Sequence, residues 1–219
     1  QLKAVTRCRF KTNFPQNVIG IAFHTKRLIA VAVFEVTARV NGGQHLLRPD
    51  REATDLIWGV LGKALEMYEV ELYGVHVLSN HYGMVVGFFD RGAHIAFKRF
   101  VNTNIAKEIN KLRDRDGRFW HRRARSIPID SAERLLERLA YCMANGTAEN
   151  LVRSPLDWPG VHFARAVVNG EVPRGTWYRR SEWWHAWRRD PTRKLSDFAE
   201  VHEVRFHQIP TLRHLTTQE

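Results

Sequence analysis

The chain has 219 residues and a mass of 25.5 kDa, and 44% of its residues are hydrophobic, which is enough for the buried core of one ordinary domain. Lysine and arginine outnumber aspartate and glutamate by 34 to 23, and the resulting formal net charge of +11 favours a polyanion such as nucleic acid as the partner. No run of about 18 apolar residues occurs, which excludes a membrane-spanning helix.

The first half of the chain predicts one strand and one helix after an N-terminal extension. Residues 1–30 mix basic residues with short apolar pieces and are interpreted as that extension. The run 31–40 is rich in β-forming residues and ends at the turn signal Asn-Gly-Gly of residues 41–43, which predicts the first strand. Asp50 is placed to cap a helix whose apolar residues recur every three or four positions as far as Tyr68.

Two further strands and a second helix follow. The β-rich runs 70–78 and 82–89 are separated by a short polar interruption, which predicts antiparallel neighbours. A long helix with a single apolar stripe is predicted to end near residues 113–117, and residues 120–129 predict a fourth strand.

A third helix carries the first candidate residue for chemistry. Asp130 and Glu133 resemble a capping box, and the helix is predicted to reach residues 145–146. Tyr141 lies about 140° around the helix from Leu136 of the apolar stripe and is predicted to leave the core face, sharing a polar face with Asn145. The alternative is a partly buried tyrosine that seals the helix against a loop. The predicted stripe consists of Leu135, Leu136, Leu139 and Met143.

The order strand, helix, strand, strand, helix, strand, helix predicts an α+β protein. It is the order of a ferredoxin-like split βαβ fold, an antiparallel sheet with helices on one face. We assign this domain to residues 31–161. Residues 162–219 contain several prolines and tryptophans and are interpreted as a basic, aromatic C-terminal tail rather than a second compact domain.

Two segments resemble a known family. The stretch 72–86, LYGVHVLSNHYGMVV, resembles the strand pair of HUH-type single-strand transposases, in which two histidines flank one hydrophobic residue. The stretch 141–160, YCMANGTAENLVRSPLDWPG, is similar to a block of the REP-associated tyrosine transposases, with a helical tyrosine, an asparagine four residues later, Leu-Val, a proline and Trp-Pro in order. The resemblance extends over residues 34–161.

The resemblance implies a catalytic mechanism. In the family, two histidines hold a divalent metal that polarises a DNA phosphate, and the helical tyrosine attacks it to leave a 5′-phosphotyrosine and a free 3′-hydroxyl. Carried over residue by residue, Tyr141 is the nucleophile and His81 is a metal ligand. His81 together with Asn145 and water is expected to hold the cofactor, Mg²⁺ or Mn²⁺, only weakly, or not at all if the position of Gly83 is not compensated. A phenol is a weak nucleophile near neutral pH, so a metal that stabilises charge on the phosphate suits this chemistry.

The sequence departs from the family pattern at Gly83, where the second histidine is expected. Three explanations remain open: a decayed or domesticated copy, a deliberate substitution, or replacement by another ligand such as His76 or His94. His76 is an odd number of residues from His81, so strand alternation predicts that it points to the opposite face. Alternation also places position 83 on the face of His81, so Gly83→His is expected to complete the pair.

Basic residues with interleaved aromatics predict contacts with DNA phosphates and unpaired bases. For the arginines between the second helix and the fourth strand, the alternative is that they form a solvated surface and bind nothing. For the tail, tryptophans that anchor a terminal helix to the domain are the favoured interpretation. The predicted DNA-binding residues are Arg113, Arg115, Arg118, Trp120, Arg122, Arg123, Arg125, Arg179 and Arg180.

Cysteine usage and charge complete the sequence-based expectations. Cys8 and Cys142 are too few for a disulfide framework, and with no secretory signal visible we expect a cytoplasmic protein. No basic amphipathic helix with apolar anchors is evident, so we expect no membrane partner.

The leading functional hypothesis is a transposase-like enzyme that nicks and rejoins single-stranded or hairpin DNA, impaired by the loss of one metal-binding histidine. The alternative is an inactive module that binds hairpin DNA. A third class, an RNA-binding ferredoxin-like protein, lacks the aromatic strand motifs that it needs. Both a monomer and a homodimer are compatible with the sequence.

Overall fold

The computed structural model describes residues 31–210, and its centre is a four-stranded antiparallel sheet in the order β2-β3-β1-β4. This is the predicted ferredoxin-like α+β arrangement. The strands of this sheet are β1 (Ala32–Arg39), β2 (Val70–Leu78), β3 (His81–Phe88) and β4 (Arg125–Ile129). The helices are α1 (Arg51–Met67), α2 (Arg91–Leu112), α3 (Ala132–Ala148), α4 (Ala164–Asn169) and α5 (Arg180–Arg189), and a second sheet pairs β5 (Arg174–Tyr178) with β6 (Ala199–Glu203).

The two crossover helices, α1 and α2, pack against each other on one face of the sheet, as predicted. The apolar ring of Phe88 on β3 lies 5.8 Å from that of Phe97 on α2, so the even-numbered side chains of β3 face these helices. Asp50 and Asp90 start the two helices by accepting hydrogen bonds from backbone amides three residues later. Asp50 is therefore the cap that the sequence predicted.

Helix α3 follows the last strand and lies on the opposite face of the sheet, against β2 and β3, so the prediction that the helices lie on one face holds for α1 and α2 but not for α3. A Cβ at Gly74 of β2 would lie 3.0 Å from the side chain of Leu139. Ser131, not Asp130, is the N-cap, because its side chain accepts the hydrogen bond from the amide of Arg134. Leu136 was predicted in the apolar stripe but is 48% exposed; the buried face of α3 carries Leu135, Cys142, Asn145 and Gly146.

The segment before β4 is irregular rather than extended. The predicted strand 120–129 begins only at Arg125. Trp120 forms an isolated bridge with Val40 and donates its indole N–H to the carbonyl of Asn102 on α2. This anchors the connection between α2 and β4 while leaving residues 121–123 exposed.

The C-terminal segment forms a small two-stranded sheet that packs on α1. The approach is very close: a Cβ at Gly59 of α1 would lie 2.0 Å from the carbonyl oxygen of Thr176, and one at Gly175 would meet the backbone nitrogen of Gly59 at 2.2 Å. Only glycine permits this contact at either position. The N-terminal extension predicted for residues 1–30 lies outside the described residues, and within residues 31–210 no helix is long and apolar enough to cross a membrane.

Candidate functional site

His81 is the first residue of β3 and stands at the edge of the α3 face. Its Nδ1 lies 2.8 Å from the side-chain oxygen of Asn80, a carbonyl oxygen that can only accept. The hydrogen bond therefore places the proton on Nδ1 and leaves the Nε2 lone pair unprotonated. Burial and the cation of Arg39 lower the pKa of His81, while the carboxylate of Glu149 opposes them. The imidazole is consequently neutral near pH 7 and suited to bind a cation.

Tyr141 and Asn145 lie one turn apart on α3, opposite this strand. Tyr141 is 51% exposed, so it is accessible to a ligand rather than sealing the helix against a loop. Asn145 is 2% exposed and faces the sheet, contrary to its predicted place on the polar face. Its side-chain Nδ2 lies 3.5 Å from Nε2 of His81, so α3 brings the phenol and the amide to the histidine predicted as a metal ligand.

His76 belongs to the same group, and the prediction that it points to the opposite face from His81 is wrong. Alternation counts along one strand, whereas β2 and β3 are joined by the two-residue loop 79–80. Cross-strand partners point to the same face, and the register pairs Leu78 with His81 and His76 with Gly83. His76 therefore lies on the α3 face, with its ring centroid 5.9 Å from that of His81 and 6.2 Å from that of Tyr141.

The ring of His76 occupies the space above Gly83. A Cβ built at Gly83 would lie only 2.4 Å from Cε1 of His76, so the expectation that Gly83→His leaves the core undisturbed is wrong, because the new side chain would have to displace this ring. Completion of a metal pair by that substitution stays a prediction. Nε2 of His76 accepts a hydrogen bond from Nδ2 of Asn145 at 2.6 Å. Burial, with smaller contributions from His81 and His162, lowers the pKa of His76 to about 3, which keeps its imidazole neutral.

The other histidines near this region have different roles. His94, left open as a ligand, stacks on Phe34 and Phe88 and bonds Ser126, which places it on the α1/α2 face. His162 is bonded at both nitrogens: Nε2 to the carbonyl of Cys142 at 3.2 Å, and Nδ1 to the amide of Ala164 at 3.0 Å. Neither imidazole is available beside His81.

A basic cleft of about 690 Å³ opens beside His81. Three arginines predicted to bind DNA, Arg122, Arg123 and Arg125, line it. Its other charged or titratable residues were not predicted from the sequence, because they come from separate parts of the chain and have no motif in common. They are Arg39, His45, His121 and Glu149.

Two of the arginines in the connection after α2 hold other parts of the chain in place. Arg113 pairs with Asp50, the cap of α1, and its side chain is only 10% exposed. Arg115 bonds the side chain of Asn110. Neither arginine lines the cleft beside His81. Both have partners within the protein instead.

Arg118 and Trp120 stabilise the connection between α2 and β4. Arg118 donates to the carbonyls of Trp120 and His121. The indole ring of Trp120 is packed edge-on against Tyr82, with centroids 5.5 Å apart. Trp120 is therefore an anchor of the connection rather than an open platform for a base.

Arg179 and Arg180 of the C-terminal segment are also engaged. Arg180 forms a bidentate ion pair with buried Glu108 of α2. Arg179 pairs with Glu182 and Glu200. In the part of the chain that the structure describes, helix α5 has no buried residue, and its tryptophans stack on one another, with Trp184 and Trp187 at 5.3 Å. The segment is held by these ion pairs, by the β5–α1 contact and by Trp177, whose ring centroid lies 5.4 Å from that of Phe100 on α2.

The fold is shared with a known transposase. The chain is similar to a solved structure of a REP-associated tyrosine transposase bound to a REP hairpin, with a TM-score of 0.50 and 16% identity over 69% of this chain and 89% of that chain. A proposed transposase from Deinococcus radiodurans R1 matches with a TM-score of 0.42 and 11% identity over 59% of this chain and 98% of its own. No protein-family model and no curated protein matches the sequence. The chain therefore shares the fold of that REP-associated tyrosine transposase.

A divalent cation fits the side chains gathered at His81. Within residues 31–210, no group of three or more His, Cys, Asp or Glu side chains is placed to hold a metal. The donors present are instead neutral imidazole nitrogen and the amide group of Asn145, and the lone pair of His81 Nε2 is not used by the hydrogen bond to Asn80. Imidazole nitrogen and an amide oxygen can ligate a divalent cation, although hard ions such as Mg²⁺ and Mn²⁺ prefer carboxylate, carbonyl and water oxygens.

Proposed function

We propose that the protein nicks and rejoins single-stranded or hairpin DNA, with Tyr141 as the nucleophile. One observation carries this proposal: the exposed phenol of Tyr141 lies one helical turn before Asn145, whose amide approaches His81. A tyrosine, an amide and an imidazole thus share one face of the sheet. The similar solved transposase holds a REP hairpin, which supports hairpin DNA as the substrate.

In the proposed reaction the phenol oxygen of Tyr141 attacks the phosphorus of a backbone phosphodiester. The Tyr–O–P bond forms, the phenol proton is released to solvent, and the bond from phosphorus to the 3′-oxygen breaks. The leaving 3′-oxygen takes up a proton and becomes a free hydroxyl. Rejoining is the reverse reaction, in which a 3′-hydroxyl attacks the 5′-phosphotyrosine and Tyr141 leaves.

His81 and Asn145 would hold Mg²⁺ or Mn²⁺ beside this phosphate. When bound, such an ion supplies charge stabilisation to the phosphate oxygens. The hydrogen bond from Nδ1 of His81 to Asn80 orients the ring and keeps Nε2 unprotonated, and a partner of this kind strengthens a histidine ligand.

The basic cleft would hold the DNA backbone next to this site. Arg122, Arg123 and Arg125 are exposed and line the cleft with His81. Their cations attract phosphate in a sequence-independent and salt-dependent way. A DNA substrate is also consistent with the expected cytoplasmic location and with no membrane partner.

The second candidate function is a hairpin-binding module without catalysis, and Gly83 favours it. Glycine offers no metal ligand at the position where the family pattern has its second histidine. In that case the cleft would retain DNA affinity while the phenol stayed unreactive.

The test is formation of a covalent complex with hairpin DNA labelled at its 3′ end, in Mn²⁺, resolved on a denaturing gel. A labelled band at the mass of protein plus the downstream fragment is expected for the parent. Tyr141→Phe should abolish it, while the matched variant Tyr178→Phe on β5 should retain it. Hairpin binding with no covalent band from the parent would favour the binding module.

A further inference from the structure

His76 is a buried imidazole whose presence the packing of the core does not explain. It is 2% exposed in the middle of β2, where its strand neighbours Val75 and Val77 are apolar. Its Nδ1 is buried and has no hydrogen-bond partner among residues 31–210. Burying a polar group with a nitrogen unpaired costs free energy, so an apolar residue would stabilise this position better.

The lone pairs of two histidines converge on one point. Nδ2 of Asn145 donates to Nε2 of His76 at 2.6 Å and lies 3.5 Å from Nε2 of His81. In His81 the proton is on Nδ1, and in His76 the donated hydrogen bond leaves Nε2 as the acceptor. Two unprotonated nitrogens thus face the same partial positive charge, which is the arrangement that binds a cation.

The position of His76 complements the loss of a side chain at Gly83. The two residues are direct cross-strand partners. Side chains of such partners are about 5 Å apart on the same face, within reach of an imidazole. The His76 ring fills the space into which a side chain at Gly83 would grow. A histidine at 76 with a glycine at 83 therefore presents an imidazole to the same region of the α3 face.

We propose that His76 is the second imidazole ligand of the divalent metal and takes the place of the histidine missing at Gly83. This inference rests on the proposed function for the presence of the ion, but it concerns ligands alone and is tested by metal binding. His81 and Asn145 complete the protein ligands, and Asn145 turns its amide oxygen toward the ion. His94 and His162 cannot fill this role, since one lies on the other face of the sheet and the other is bonded at both nitrogens.

The first test reads the coordinating nitrogens directly. The full chain, with ¹⁵N-labelled histidine, is titrated with a spin-one-half cadmium isotope. Scalar splitting of the Nε2 resonances of both His76 and His81 is expected, with no splitting at His94. Splitting at His81 but not at His76 would overturn the inference.

The second test measures Mn²⁺ affinity from the electron paramagnetic resonance signal of the free ion. His76→Val should weaken Mn²⁺ binding by at least about 10-fold to 100-fold, because loss of a residue that only supports a ligand already has an effect of that size. His94→Gln, which removes a histidine on the opposite face, should leave the affinity unchanged. The double variant His76→Val/Gly83→His should recover most of the affinity, because it returns the imidazole to the neighbouring strand and relieves the overlap.

Circular dichroism and thermal unfolding establish that each variant is folded, and His76→Gln replaces His76→Val if the latter is not. Parental Mn²⁺ affinity in the folded His76 variant would overturn the inference, while the proposed function would stand if the covalent complex still forms. Weakened Mn²⁺ binding without any covalent complex from the parent would support the ligand assignment and contradict the proposed nicking activity. A parent with no Mn²⁺ or Cd²⁺ binding would overturn the ligand assignment outright.

Discussion

The imidazole of His76 lies directly across the β2–β3 ladder from Gly83 and covers its Cα, so that an added Cβ would come within 2.4 Å of Cε1. The glycine and the histidine are therefore a matched pair. Neither position can be changed alone without affecting the other, because the ring is buried and is held by Asn145.

This pairing predicts that Gly83→Ala destabilises the fold by about 1–3 kcal/mol through overpacking. In the His76→Ala variant, Gly83→Ala should lower the free energy of unfolding much less, because the ring that opposes the new methyl group is gone. Urea unfolding of the two single variants and the double variant measures this coupling. An equal loss of stability on Gly83→Ala with and without the His76 ring would show that position 83 does not contact the ring.

The buried ion pair between Arg180 and Glu108 is expected to fix the C-terminal segment to α2. Arg180→Ala should lower stability by about 3–5 kcal/mol, because it leaves a buried carboxylate without its partner. The double variant Arg180→Met/Glu108→Leu should keep most of the parent's stability, because it leaves no unpaired charge in the protein. Thermal and urea unfolding measure these changes in stability. If Arg180→Ala left the stability unchanged, the ion pair would not hold the segment and the arginine would be free to bind DNA.

The fold was predictable from the sequence because its elements carry local signals. The start of α1 at Asp50 and the strand at 70–78 are each determined by residues that are neighbours in the chain. The structure confirms both. The start of β4 and the identity of the α3 cap were missed by a few residues. At the cap, Ser131 and Asp130 are adjacent and chemically equivalent, so sequence alone does not separate them.

The site was only partly predictable, for a physical reason. His81, Asn145 and Tyr141 were identified through the family resemblance, and the structure brings them together, but His76 was assigned to the wrong face. The register of a hairpin depends on the length of its loop, and alternation cannot be counted through it. The cleft residues Arg39 and Glu149 come from distant segments, so no local pattern marks them.

The arginines of the cleft should govern DNA affinity. Arg122→Ala combined with Arg123→Ala should weaken binding to every hairpin sequence alike and reduce the slope of the salt dependence by about one for each phosphate that is no longer neutralised. The matched control is Arg99→Ala, an exposed arginine on the opposite face. Fluorescence anisotropy over a salt series measures both quantities. An equal decrease in affinity from Arg99→Ala would place the DNA elsewhere.

His94 should make the stability depend on pH. Burial, with the Lys98 cation, lowers the pKa of folded His94 to about 4, whereas the unfolded residue titrates near 6.5. As the pH falls, the unfolded state therefore binds the proton first. The contribution of neutral His94 to the stability of the fold is complete above pH 6.5 and is lost as the pH falls toward 4. Urea unfolding at several pH values should show a shallower decline for His94→Gln than for the parent. Identical profiles would mean that this imidazole titrates normally.

The proposed reaction requires that Tyr141 form the covalent bond to DNA. The decisive measurement is mass spectrometry of the protein after incubation with hairpin DNA and Mn²⁺, followed by nuclease and protease digestion. We expect a nucleotide phosphate attached to the peptide that contains Tyr141, and no modified peptide when Tyr141→Phe is used. Attachment to any other residue, or a cleaved hairpin with no modified peptide, would contradict it.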